Sequence, residues 1–234
     1  MGLKEPGLRG SLRSVSTGVS AIPDSVLAQF DATQDDQSLG SITSIPDQIG
    51  NNDLAGDAEL VEDGIDNGPS YRFTTSDFMS VNGVNATTED IGVIIVCQLA
   101  TAASNNFFFG ARDGDRPNLT FDLQDDDAGN YDVFRRDNGS GASFSAGTPD
   151  TNDHILELRG FNTDEAELVE DGTALGGGSD GNGTIEDFAL GGRFRFEGID
   201  MDVAECVILE DASVSDFETE RERLSNKYNI SISS

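Results

Sequence analysis

Gly198 to Ile230 reads GIDMDVAECVILEDASVSDFETERERLSNKYNI, and this stretch decides the fold. Its first part, Met201 to Leu209, is an apolar run suited to a buried strand. The period then changes. Over Ser215 to Tyr228, the residues Phe217, Leu224 and Tyr228 fall near one face of a helix. Ser215 and Glu218 have capping-box spacing, which would satisfy two early amide donors. The basic residues from Arg221 to Lys227 suit the negative end of the helix dipole, and Asn229 suits the left-handed position just past it. A strand feeding a capped terminal helix is therefore predicted.

Working outward, the chain reads as short strands punctuated by Gly, Asn and Asp. Asp90 to Leu99 contains IGVIIVCQL, a β-branched run typical of a central strand. Further strands are predicted at Val26 to Asp31, Tyr71 to Phe73, Phe78 to Val81, Asn106 to Arg112, Leu119 to Leu123 and Tyr131 to Arg135. His154 to Gly160, Glu167 to Glu170 and Ala189 to Phe196 complete the set. The spacing suits a sandwich. The expected fold is all-β: two antiparallel sheets that bury alternate residues of Val93 to Leu99 and Val203 to Leu209, with one helix at the edge. Cys97 and Cys206 lie in these two runs and read as buried thiols. If the runs are neighbours, the thiols could lie close, and spacing leaves a cross-strand disulfide open. The heptapeptide AELVEDG occurs at Ala58 to Gly64 and again at Ala166 to Gly172. Its flanks do not match, so it reads as convergent strand chemistry rather than a repeat.

Charge narrows the function classes. The 234 residues carry a formal net charge of −30, and the only lysines are Lys4 and Lys227. So much like charge strains a compact state in dilute buffer, and screening at about 1 M salt, over about 3 Å, relieves it. A halophilic surface is the expectation. Nucleic acid is excluded as a partner, because no basic patch exists to meet phosphate. No apolar run of about 18 residues is present, so no membrane insertion is expected. Met1 to Ser20 lacks the apolar core of a secretory signal. Residues 1–24 instead read as an extended arm that orders against a partner, with Leu8, Arg9, Leu12 and Arg13 as anchors on an acidic protein. Residues 25–234 form the predicted sandwich domain.

Several motifs in order resemble the concanavalin A-like, laminin-G-type jelly-roll family. They are FDAT (Phe30 to Thr33), PDQIGNND (Pro46 to Asp53), YRF (Tyr71 to Phe73), VIIVCQL (Val93 to Leu99), FFFGARDG (Phe107 to Gly114) and DTNDHILEL (Asp150 to Leu158). The terminal segment is the most telling. A strand of the type D-[IV]-A-E-V-x-[IV], a Ser-capped helix and a K-Y-G-I ending match Asp202 to Ile208, Ser215 and Lys227 to Ile230, with Asn229 where Gly is usual. The resemblance covers about residues 27 to 230 and implies a jelly-roll sandwich from a family of binding and structural modules with some glucanases. The arm motif GLRGSLRSVS resembles the N-termini of virion proteins from haloarchaeal tailed viruses.

A glucanase on this fold needs two carboxylates on one strand face, about 5 Å apart. Asp200, Asp202 and Glu205 are the nearest match, and Glu205 falls on the opposite face unless a bulge intervenes. No Trp is available to line a sugar subsite. The single histidine, His154, has no nucleophile in a recognisable motif and reads as a strand-edge side chain. Non-catalytic is therefore the expectation. Calcium would suit the acidic loops, with Asp125, Asp126 and Asp127 as the favoured ligands and simple solvated carboxylates as the alternative. Tyr131 and Phe134 are the candidate aromatic platform for a glycan. The function expected is a structural protein on the surface of a halophilic virus particle (capsid turret, decoration or tail component). It would assemble in the host cytoplasm, contact other virion proteins through its arm, form a homotrimer or pentamer, and present a surface to a host glycan or glycoprotein. A cellular carbohydrate-binding or adhesin module is the alternative.

Overall fold

The computed structural model describes residues 23–84, 91–101, 107–113, 116–125, 130–137, 140–161, 165–179, 186–192 and 199–233. The arm anchors Leu8, Arg9, Leu12 and Arg13 lie outside them, as do Asp126 and Asp127. Fifteen strands and one α-helix make up the described fold. They are β1 (Val26–Asp31), β2 (Gly40–Ile45), β3 (Leu54–Val61), β4 (Ser70–Phe73), β5 (Met79–Asn82), β6 (Ile91–Leu99), β7 (Phe107–Asp113) and β8 (Arg116–Asp125). There follow β9 (Tyr131–Asp137), β10 (Ser140–Ala146), β11 (Asp153–Phe161), β12 (Glu165–Glu170), β13 (Thr173–Ser179), β14 (Asp187–Leu190), β15 (Met201–Glu210) and α1 (Val214–Tyr228).

Every described pairing is antiparallel. The ladder runs β10-β9-β8-β7-β14-β5-β3-β4-β15-β6-β11-β12-β13, with β1 added on β15 and β2 on β3. β3 serves both halves: Ala55 and Gly56 pair with β5, and Glu59 to Val61 pair with β4. The ladder folds over at that strand, and its halves face each other. Phe30 on β1 stacks on Phe188 of β14, with ring centroids 6.4 Å apart. The Tyr131 hydroxyl on β9 donates to Glu170 of β12. The all-β sandwich expected from the sequence is the observed fold.

The helix is placed differently from expectation. It covers the outer face of the β15-β6-β11 sheet rather than its edge. β6 is consequently buried on both sides. Val93, Ile95 and Cys97 join the core between the sheets, whereas Ile94 and Val96 meet the helix with Phe217, Leu224 and Tyr228. This double burial explains why IGVIIVCQL shows no alternation of apolar and polar residues. Gly92 permits the approach, since a Cβ there would lie 2.2 Å from Cζ of Phe217. The capping box is also shifted from the predicted Ser215 and Glu218. Ser213 is the N-cap, its hydroxyl accepts from the Asp216 amide, and the Asp216 carboxylate accepts from the Ser213 amide. Asn229 takes the expected left-handed conformation at φ 53°.

Cys97 and Cys206 are both buried thiols. They sit on adjacent strands but out of register, Cys97 opposite Val203 and Cys206 opposite Ile95. The two AELVEDG copies form strand ends with the same burial alternation in unrelated ladder positions, on β3 and β12. Their turns differ: Asp171 and Gly172 both take positive φ, whereas Gly64 has φ −83°.

Candidate functional site

β4 places Tyr71 and Phe73 in the core, so Arg72 between them points outward. In the ladder Arg72 lies beside Asp202 of β15 on one side and Glu59 of β3 on the other. Its Nε and Nη2 donate to the two oxygens of Asp202, each at 2.8 Å. That bidentate bond is the main reason the guanidinium pKa is raised further. Next to the pair is a cleft of about 340 Å³, with Phe73 and Met201 in its lining and Thr74, Gln98, Asp200 and Asp202 as polar groups. Asp200 Oδ1 accepts from the Thr75 amide at 2.9 Å. Among the described residues, Asp200 Oδ2 accepts no hydrogen bond. Arg72 also borders two neighbouring depressions. One carries Glu59, Glu62 and Asp63; the other carries Asp57, Glu59 and Asp77. Among the described residues, seven carboxylates thus surround one cation on this rim.

The three acids considered for glycoside hydrolysis are separated by their partners. A bulge does intervene: the β15–β6 register shifts between Val203 and Glu205. Ala204 and Glu205 both turn toward the helix as a result. Glu205, fully buried, accepts from Gln29, Arg223, Lys227 and Tyr228. Asp202 is closed by Arg72. The bulge thus moves Glu205 to the face the sequence denied it and commits it to holding the helix. Sequence reading took Arg221, Arg223 and Lys227 as dipole partners. In the fold they point inward to buried carboxylates: Arg221 to Glu157, Arg223 to Glu205 and to Glu220 of the helix itself, and Lys227 to Asp31 and Glu205. Glu157 also holds Arg159, whose guanidinium lies 5.1 Å over the Phe217 ring.

His154 is better engaged than a strand-edge side chain. Its Nδ1 lies 2.7 Å from Asp171 and its Nε2 lies 2.9 Å from Asp150. The Asp171 bond, with the Asp150 bond and despite partial burial, pushes its pKa up to about 9. A native pKa raised from 6.5 stabilises the fold fully below pH 6.5, and the contribution is lost as pH climbs through about 9. The expected loss is about 2 kcal/mol after allowance for solvent screening. Unfolding midpoints between pH 6 and about 10 should show it, and His154→Gln should flatten that slope. An unchanged slope in the variant would assign the dependence elsewhere.

The predicted glycan platform does not form at Tyr131. Its ring is 1 % exposed, packs against Phe108 at 5.7 Å, and its hydroxyl is held by Glu170 at 2.8 Å. Strand alternation turns it into the sandwich. The side chains of Phe134 and Asp125 lie outside the described residues, although their backbones are in β9 and β8. Among the described residues, no group of three or more His, Cys, Asp or Glu side chains is arranged to hold a metal ion. No described helix is long and apolar enough to cross a membrane. The Arg72 cleft was missed from sequence. YRF beside MDV was the available signal, but the Arg72–Asp202 pairing needs the ladder register, which the sequence does not show.

No protein-family model matches the chain. No curated protein matches it either. Solved structures do. A Trypanosoma rangeli sialidase in complex with sialic acid aligns with TM-score 0.66 at 13% identity, over 89% of this chain and 34% of that one. The binding domain of botulinum neurotoxin serotype D aligns with TM-score 0.65 at 12% identity, over 87% of this chain and 52% of that one. The binding domain of botulinum neurotoxin DC in complex with SialylT aligns with TM-score 0.64 at 11% identity, again over 87% and 52%. The chain therefore spans about a third of the sialidase and about half of the toxin domains. At these identities the likeness establishes a shared β-sandwich fold.

Proposed function

We propose that this chain is a non-catalytic, lectin-like recognition module that holds a glycan in the Arg72 cleft and works on the surface of a particle assembled in strong salt. The carrying observation is the cleft itself. A polar wall of Thr74, Gln98 and Asp200 over a floor closed by the buried Phe73 and Met201, in about 340 Å³, suits one or two sugar rings. Asp200 and Gln98 supply the acceptors and donors that sugar hydroxyls need. The glycan-bound neighbours support the reading by fold analogy. The non-catalytic part is supported by the committed acids. Asp202 is closed by Arg72 and Glu205 by four donors, so neither of these acids is free to act as general acid or nucleophile.

The particle setting rests on the arm and the charge balance. Residues 1–24 carry Arg9 and Arg13 in a chain of net charge −30, which suits docking onto an acidic virion protein. Oligomeric display as a trimer or pentamer would add avidity to a weak single site. The test is glycan-array binding in strong salt. Binding should be lost in Asp200→Ala and Gln98→Ala, with no reducing sugar released by the parent. Reducing-sugar release lost on Asp202→Asn would make the module an enzyme. For the setting, deleting residues 1–24 should abolish particle incorporation and leave the sandwich folded; continued incorporation would remove the arm's role.

A further inference from the structure

The geometry points to a cleft that admits neutral glycans and turns away sialylated ones. This rests on the reading that the Arg72 cleft holds a glycan. A sialic acid carboxylate needs a cation or a set of N–H donors with open positions. Among the described residues the rim supplies one cation, Arg72, and Asp202 already takes an N–H from its Nε and one from its Nη2. That bond pairs the guanidinium charge with a carboxylate and takes two of its five N–H groups, and Glu59 lies beside Arg72 in the ladder. Seven carboxylates border the cleft and its two neighbouring depressions, so an incoming anion meets a net negative rim. A neutral sugar is not repelled by the outer carboxylates and needs partners only inside the cleft. Its hydroxyls donate to Asp200 and receive a bond from the Gln98 amide, which are charge-assisted and neutral hydrogen bonds respectively. The sialidase neighbour was solved with sialic acid. The fold is shared, but this rim has the wrong sign for that ligand.

Exclusion by charge has a salt signature that exclusion by shape lacks. The screening length is about 8 Å at 0.15 M salt and about 3 Å at 1 M. Carboxylates on the outer rim therefore act on a bound anion in the dilute condition and fade in the concentrated one. Glu59 and Asp63 are exposed members of that rim, outside the hydrogen bonds of the cleft.

The experiment is calorimetric titration of the full chain with matched pairs, lactose against 3′-sialyllactose and N-acetyllactosamine against its sialylated form, at about 0.15 M and about 1 M potassium chloride. The neutral member of a bound pair should win by about tenfold or more in dilute salt, with a smaller ratio at high salt. Glu59→Gln with Asp63→Asn should narrow the dilute-salt ratio without weakening the neutral sugar. A sialylated member that binds as well as its partner overturns the inference and leaves the glycan reading standing. So does a ratio indifferent to both salt and the double variant. Binding of no sugar in the panel overturns the glycan reading itself, and the inference with it.

Discussion

Lys227→Met should cost about 3–5 kcal/mol at neutral pH, a fall of roughly 10 °C in unfolding midpoint. Lys227 Nζ lies 2.6 Å from Asp31 and 2.7 Å from Glu205, and both carboxylates are fully buried. Methionine keeps the apolar stem and removes the charge alone. Asp31, Glu205 and Glu220 would then face Arg223 as the remaining cation of the cluster. Strong salt should not restore the loss, because buried pairs are screened far less than surface ones. Acid should narrow it. Burial pushes the Asp31 pKa up, but bonds from Lys227, Thr33 and Gln34 outweigh burial and hold it below the usual 3.8. The stabilisation is therefore present above about pH 4 and disappears as pH falls through the lowered native value. Glu205→Ala makes the contrast. It leaves Asp31 and Glu220 against Arg223 and Lys227, a balanced set, and should cost less, nearer 2 kcal/mol. Equal midpoints for Lys227→Met and its parent at pH 7 would mean that water replaces the ammonium without penalty.

The second large effect is at the contact between β6 and the helix. In Gly92→Ala the new methyl would sit 2.2 Å from Cζ and 2.3 Å from Cε1 of Phe217, with the Leu158 carbonyl oxygen 3.2 Å behind it. Phe217 is fully buried and lies under the Arg159 guanidinium, so its ring can retreat only if the helix moves. About 3 kcal/mol is expected. Phe217→Ala opens a cavity at the same spot and should cost about 3–5 kcal/mol. The two faults offset each other. In a Phe217→Ala background the Gly92→Ala methyl enters empty space, and its own cost should drop below about 1 kcal/mol. Chemical denaturation of the four proteins gives the cycle. Simple additivity would show that the helix does not rest on Gly92.

How far the sequence could be read follows from these same residues. The strand at Met201–Glu210 and the helix after it were legible because one carries unbroken apolar residues and the other an apolar face with a cap. β2, β10 and β13 were not, since GSITSI, SGASFSA and TALGGGS contain little apolar periodicity. They are strands because neighbours supply their ladder bonds. Of β3 only the end, in AELVEDG, read as strand; its polar first half and its division between two partners were hidden. At the candidate site, the identity of Asp202 and Glu205 was readable and their roles were not. One extra residue in β15 turns Glu205 to the helix side, and antiparallel register alone sets Arg72 beside Asp202. Such placements depend on pairing between residues more than a hundred positions apart, which local pattern does not encode.

The locked ammonium of Lys227 has a practical corollary for conjugation chemistry. The chain has two lysines, and Nζ of Lys227 is tied to two carboxylates and lies 4.9 Å over the Tyr228 ring. An amine-directed reagent applied to the folded protein should therefore leave the sandwich unmodified and find its lysine target at Lys4. Dyes, biotin or cross-linkers can be put on the arm with a single reaction, leaving the Arg72 rim clean.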